Sequence, residues 1–301
     1  MLHPNPGIPA ARLLRCLLGL LALLAPLLPA QAAAFSDEFS TSLSPAWNPP
    51  RIEEPGSSVL APVADAAAGD GQALQLVFPG GTDPGHSSPA FATEVRTVAA
   101  PGYGTYEARL VTGKGGRRTG LVSAFFTYFN DGTDHDLDGI VDNHEIDLEF
   151  LAAEPTRIYM TVWTEYEETG GGGETFRKTT RKVDLKTGEV WQTPPGGEGS
   201  YDLVPAAPLG WTARRYRTSR AYAKYRFAWS AGSVEYAVDL EDGLGWRTLW
   251  TLAGAANDVI PSIPAPLFFN TWHNATHWDT GADAAPPKKD TAMRVDSVSI
   301  N

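Results

Sequence analysis

The stretch His144-Glu145-Ile146-Asp147-Leu148-Glu149-Phe150 decides how the rest of the chain is read. Three carboxylates alternate with aliphatic and aromatic residues. In a β-strand successive side chains point to opposite faces, so Glu145, Asp147 and Glu149 share one surface while Ile146, Leu148 and Phe150 enter a core. Three like charges on one strand face repel, and close carboxylates split their pKa values. That arrangement suits chemistry needing one ionised and one protonated carboxyl, as glycosidic bond cleavage does. A retaining pair stands about 5–5.5 Å apart. In an extended strand the Glu145 and Glu149 Cα atoms are roughly 13 Å apart, so their side chains can meet only if the strand curves toward this face.

Outward from this strand the chain reads as short β-segments separated by turns. Ala34–Phe39, Ala73–Phe78, Phe91–Val98, Thr105–Leu110 and Gly120–Asn130 precede it; Arg157–Tyr166 follows. Tyr222–Trp229, Ser233–Leu240 and Arg247–Thr251 form a meander, and Pro266–Trp272 and Met293–Ile300 complete the pattern. Trp47–Pro62 is proline-rich and reads as irregular. So does 167–221, a long decorated connection with strand-like pieces only near Thr179–Leu185 and Glu189–Gln192. No amphipathic helical stretch of useful length is present, and 30 Gly and 24 Pro favour turns. The pattern predicts an all-β sandwich or barrel.

The formal charge of −11 without a basic cluster argues against nucleic acid as a partner. Arg12 and Arg15, the apolar run Leu17–Leu28 and Ala30-Gln31-Ala32 form the three parts of a secretory signal peptide, residues 1–32. Residues 33–301 are then one domain, secreted, monomeric and free of the membrane after cleavage. The single cysteine, Cys16, lies in the leader, so no disulfide is expected in the mature chain.

Asp134-x-Asp136-x-Asp138-Gly139-x-x-Asp142-x-x-Glu145 has the spacing of a calcium loop. Because Glu145 belongs to the carboxylate strand, the expectation is a partial structural calcium site from Asp134, Asp136, Asp138 and Asp142, with no cofactor for catalysis. Strand alternation turns His144 away from the carboxylate face.

Glu145-Ile146-Asp147-Leu148-Glu149 resembles the active-site signature of glycoside hydrolase family 16. Thr93-Glu94-Val95-Arg96, Tyr103-Gly104-x-Tyr106-Glu107, Gly120–Tyr128, Tyr225–Trp229 and Asn270-Thr271-Trp272 follow in the family's order. The resemblance implies a concanavalin-like β-jelly-roll sandwich of two antiparallel sheets with a concave cleft. It implies Glu145 as nucleophile, Asp147 as its assistant and Glu149 as general acid/base. It further implies sugar contacts from Glu94, Arg96, Phe126, Tyr128, Trp163, Asn270, Trp272 and Trp278. A single residue, Leu148, separates Asp147 from Glu149. That bulge-less form resembles the lichenase branch and points to a retaining endo-β-glucanase on β-1,3-1,4-glucan or a related β-glucan. Thr93, Asn143-His144 and Thr161 depart from the lichenase pattern, and 167–221 is longer. A cell-wall polysaccharide transglycosylase of the same fold and a non-catalytic carbohydrate-binding sandwich are the competing readings.

Overall fold

The computed structural model describes residues 34–48, 51–52, 60–81, 93–169, 173–194, 201–278 and 281–301; the signal-peptide segment lies outside them. The strands in chain order are β1 (Phe35–Asp37), β2 (Arg51–Ile52), β3 (Ala61–Ala64), β4 (Gln72–Phe78), β5 (Thr93–Arg96) and β6 (Gly104–Val111). Next come β7 (Leu121–Phe129), β8 (Asp142–Leu151), β9 (Arg157–Thr169), β10 (Gly173–Asp184), β11 (Val190–Gln192) and β12 (Val204–Ala206). The last five are β13 (Ala223–Ser230), β14 (Ser233–Asp239), β15 (Arg247–Ala253), β16 (Leu267–His273) and β17 (Thr291–Ile300). No helix occurs among the described residues.

Two antiparallel sheets form. One runs β15-β14-β13-β6-β17-β4-β3, with β1 also paired to β17; the other runs β12-β11-β10-β9-β8-β7-β16-β5-β2. Neighbours that are distant in sequence, such as β6 beside β17 and β7 beside β16, give the crossed connectivity of a jelly roll. The inner faces meet in one core, where period-2 alternation delivers Leu74, Tyr106 and Leu110 from one sheet and Ile146, Leu148, Phe150, Met160 and Val162 from the other. Phe125 of β7 contacts Phe227 of β13 at 5.3 Å between ring centroids, and also stacks on Phe269 of β16 at 5.2 Å. Burying each such side chain stabilises the fold by about 1.5–3 kcal/mol. This contact between the sheets fixes β7 and β8, and with them the carboxylate face that looks away from the core.

The segment 167–221 differs from its expectation. Part of it extends the second sheet, and the strand-like pieces expected near Thr179–Leu185 and Glu189–Gln192 fall on β10 and β11. β9 and β10 form a long hairpin, β11 pairs with β10, and β12 pairs with β11. The proline-rich stretch Trp47–Pro62 likewise contains β2 and runs into β3, whose Pro62 stands on the outermost strand of its sheet, where a missing N–H breaks no ladder beyond it.

Candidate active site

Register across the second sheet builds the site in rows. Tyr128, Glu145, Trp163 and Lys178 are successive partners on β7, β8, β9 and β10. The next row is Arg96, Phe268, Phe126, Asp147, Thr161 and Thr180, from β5 to β10. The third is Glu94, Asn270, Ala124, Glu149, Tyr159 and Lys182. Side chains in one row of a sheet lie on one face, so the three carboxylates, predicted from the sequence to share a surface, sit at its centre. The β8–β9 ladder is regular from Glu145 to Glu149; the irregularity in β8 falls earlier, between Asp142 and Glu145.

The predicted sugar-contact residues surround this centre. Phe126 stacks on Phe268 at 4.9 Å, Tyr128 meets the same ring edge-on at 6.3 Å, and the Arg96 guanidinium lies 5.8 Å from it. Asn270 donates from Nδ2 to Glu94 Oε2 at 3.5 Å. Trp272 and Trp278 lie 6.1 Å apart, and Trp278 meets Tyr159 edge-on at 5.1 Å. All eight predicted contact residues belong to this face or its border.

The carboxylates differ in their surroundings. Asn143 Nδ2 donates to Glu145 Oε2 at 3.1 Å. Burial raises the Glu145 pKa, while hydrogen bonds from Asn143 and Asp147 oppose the rise. Asp147 is held well above its ordinary value, by burial first and then by the charges of Glu145 and Glu149. A protonated Asp147 donates to Glu145 and keeps it the most anionic of the three. Glu149 is pushed up to about 8, by burial first and by the Glu145 charge second. The site thus holds one carboxylate favoured as an anion and one held as an acid near neutrality.

Three features escaped sequence reasoning. Lys178 Nζ lies 3.9 Å from the Tyr201 ring centroid and 4.4 Å from that of Trp163. Its burial lowers its pKa to about 8, against the raising effect of Glu149, Asp147 and Glu145. It is a cation that favours ionised carboxylates on this face. Phe268 joins Phe126 and Tyr128 in one aromatic group, and the Phe176 ring lies tilted against Tyr201 at 4.5 Å. The only sequence signal was the alternation Phe176, Lys178, Thr180, Lys182.

His144 is buried, and its Nδ1 accepts N–H groups from Ser262 and Ile263 at 3.2 and 2.9 Å, away from the cleft as alternation demands. Burial lowers its pKa to about 4, so it is neutral. Asp134, Asp136 and Asp138 each offer an oxygen within 4.8 Å of the others. Asp142 is a correction to the predicted ligand set: it is buried, accepts the backbone N–H of His135, and lies 3.2 Å from His144 Nε2. Asp138 also faces Arg177 at 3.2 Å, and Arg177 pairs with buried Glu165.

Residues 65–187 match the model of glycosyl hydrolases family 16. The β-glucanase of Bacillus subtilis (strain 168) is 28% identical over 203 residues, 65% of this chain and 57% of that protein. The chain spans a little over half the length of the curated relatives it matches. Among solved structures, a β-1,3-1,4-glucanase (lichenase) derived from a mouse hindgut metagenome superposes with a TM-score of 0.52 at 21% identity, covering 89% of this chain and 99% of that one. The Crh5 transglycosylase superposes with a TM-score of 0.50 at 16% identity, covering 92% and 88%. These two likenesses show a shared fold. Residues 65–187, which contain all three cleft carboxylates, are the part of the chain that is similar to glycosyl hydrolases family 16.

Proposed function

We propose that the protein is a secreted, retaining endo-β-glucanase whose substrate is mixed-linkage β-1,3-1,4-glucan. The observation that carries the reading is the placement of Glu145 and Glu149 on one face of β8 with Asp147 between them, at the centre of an aromatic-lined sheet face, with burial and the Glu145 charge raising the Glu149 pKa. Glu149 gives its proton to the glycosidic oxygen as that bond breaks. Glu145 attacks the anomeric carbon from the opposite side and forms a glycosyl ester. Glu149, now ionised, removes a proton from water; the water oxygen attacks the anomeric carbon, the ester bond breaks, and Glu145 leaves as carboxylate. Aromatic rings beside the acids stack on the apolar faces of pyranose rings, and Glu94, Arg96 and Asn270 read hydroxyls.

The regular ladder between Asp147 and Glu149 supports the lichenan-type substrate, because the bulge-less signature resembles the lichenase branch. Rates on lichenan, laminarin, xyloglucan and agarose test it. Lichenan is expected to be cut fastest, with internal breaks early in the reaction. Failure to cut lichenan alongside cleavage of another polymer would move the substrate. Products longer than a starting oligosaccharide would move the reaction to transglycosylation.

The acidic loop fits a structural calcium ion held by Asp134, Asp136 and Asp138. The neighbouring charges of Asp138, Asp142 and Asp134 add to burial in raising the pKa of Asp136, a repulsion that a cation relieves. Calcium in about hundredfold excess over its Kd stabilises by about 2.7 kcal/mol, which for a domain of this size raises Tm by several degrees. Chelation is expected to reverse the rise and Asp136→Asn to abolish it. Identical melting curves with calcium and with chelator would reject the ion.

A further inference from the structure

A cavity of about 1010 Å³ lies outside the carboxylate cleft, at the end of the sandwich. Its walls are the loop before β7, the turn before β13 and the segment leading into β17. None of the cleft residues named above lines it. Seven of the chain's 24 Lys and Arg residues line it, against two of the 35 Asp and Glu residues, Asp65 and Asp290. In a chain of net charge −11 this is a strong segregation of charge.

The pairing inside the cavity sharpens the excess. Arg294 is neutralised by Asp65 at 3.0 Å. Asp290 accepts the Gly80 N–H at 2.9 Å. Lys114, Arg117, Arg118, Arg220, Lys288 and Lys289 are exposed and make no ion pair among the described residues. Six unpaired cations around one concavity repel until an anion bridges them.

The backbone carrying these cations is pinned. Lys114 N donates to Thr291 Oγ1 at 2.7 Å, and Gly116 N to Thr119 Oγ1 at 3.0 Å. Ala285 N donates to the Arg118 carbonyl at 2.6 Å, and Gly120 N to the Ala285 carbonyl at 3.1 Å. A Cβ on Gly115 would stand 2.7 Å from the Ala152 Cβ, so glycine there lets the cationic loop close on the strand end. Binding therefore need not order the walls first.

We propose that this cavity is a second, non-catalytic site for a carboxylate-bearing polysaccharide, which holds the enzyme against an acidic matrix while the cleft works on a neutral glucan. Arginine forks match carboxylates in pairs, and the volume exceeds what one small anion fills. A nucleic acid fits less well: the one aromatic residue in the lining, Tyr222, is buried under the Arg109 guanidinium at 4.6 Å and donates its hydroxyl to Asp65, leaving no ring on which a base can stack. A membrane also fits less well, because none of the exposed large apolar residues lies in the lining.

Affinity electrophoresis through gels containing polygalacturonate tests the site without any catalytic readout, so it stands apart from the glucanase assignment. The wild-type protein is expected to be retarded in low salt and released at 0.5 M NaCl, beyond the screening length of about 8 Å at physiological salt. The quadruple variant R117A/R118A/K288A/K289A is expected to bind at least tenfold more weakly, with an unchanged melting temperature and lichenan hydrolysis within twofold of wild type. Equal retardation of variant and wild type, or no retardation of wild type, would overturn the proposal. So would tighter binding of a short DNA duplex than of polygalacturonate, or inorganic phosphate binding as tightly as the polymer.

Discussion

Glu145→Gln is expected to lower kcat on lichenan by about 10⁴-fold or more, the scale on which removal of a nucleophile acts. The amide keeps the size of the side chain, and its oxygen can still accept from Asn143 Nδ2, which now donates to Glu145 at 3.1 Å. Loss of activity is therefore a chemical effect, checked by an unchanged melting curve and unchanged binding of lichenan. Glu145→Ala makes the test specific. Azide added to this variant occupies the vacated space, attacks the anomeric carbon and displaces the leaving sugar that Glu149 protonates. The product is a glycosyl azide of inverted configuration. A Gln variant retaining more than a hundredth of wild-type turnover would remove Glu145 from the nucleophile's role.

The second large effect belongs to Glu149. Its pKa of about 8 keeps it protonated at neutrality, so wild-type kcat/KM is expected to fall as pH rises through about 8. Glu149→Gln should lose about 10²–10⁴-fold on lichenan, the worth of a positioned acid, and should lack that alkaline limb. On a dinitrophenyl glycoside, which leaves without protonation, the variant should release a burst of dinitrophenol. Slow turnover should follow, because no base remains to activate water.

The same substitution has an opposite effect on stability. The folded-state pKa of Glu149 lies above its ordinary value of 4.5. The folded protein thus keeps a proton that the unfolded chain releases, and stability falls with rising pH between about 4.5 and 8. The slope is at most about 1.4 kcal/mol per pH unit for one group. Glutamine removes that slope. The variant should melt above wild type at pH 8 and show no such advantage at pH 4.5. A wild-type protein that melts higher at both pH values would contradict the buried, protonated state.

The carboxylate strand and the core beneath it were legible because strict alternation has one geometric meaning. Ile146 and Leu148 had to enter the core if Glu145, Asp147 and Glu149 lined the opposite, cleft face. Only the C-terminal half of β10, near Thr179–Leu185, was legible as strand, for the converse reason. Its cleft-facing residues are polar, and the ladder to β9 slips between Arg177 and Lys178, so no clean hydrophobic period marks it. Lys178 reaches the carboxylates only through the register of two intervening strand pairs, which local sequence does not carry. Asp142 shows another limit: spacing alone does not separate a metal ligand from a buried acid that holds a backbone N–H and faces His144. The basic cavity was invisible for the same reason, since its cations come from three segments far apart in the chain.

The central claim is double displacement by Glu145 and Glu149, and the anomer released first tests it most directly. Proton NMR of a mixed-linkage oligosaccharide, recorded within the first minutes before mutarotation, should show the β-anomer appearing first and the α-anomer growing later. An α-anomer appearing first would mean single displacement by water, and would contradict a glycosyl ester on Glu145.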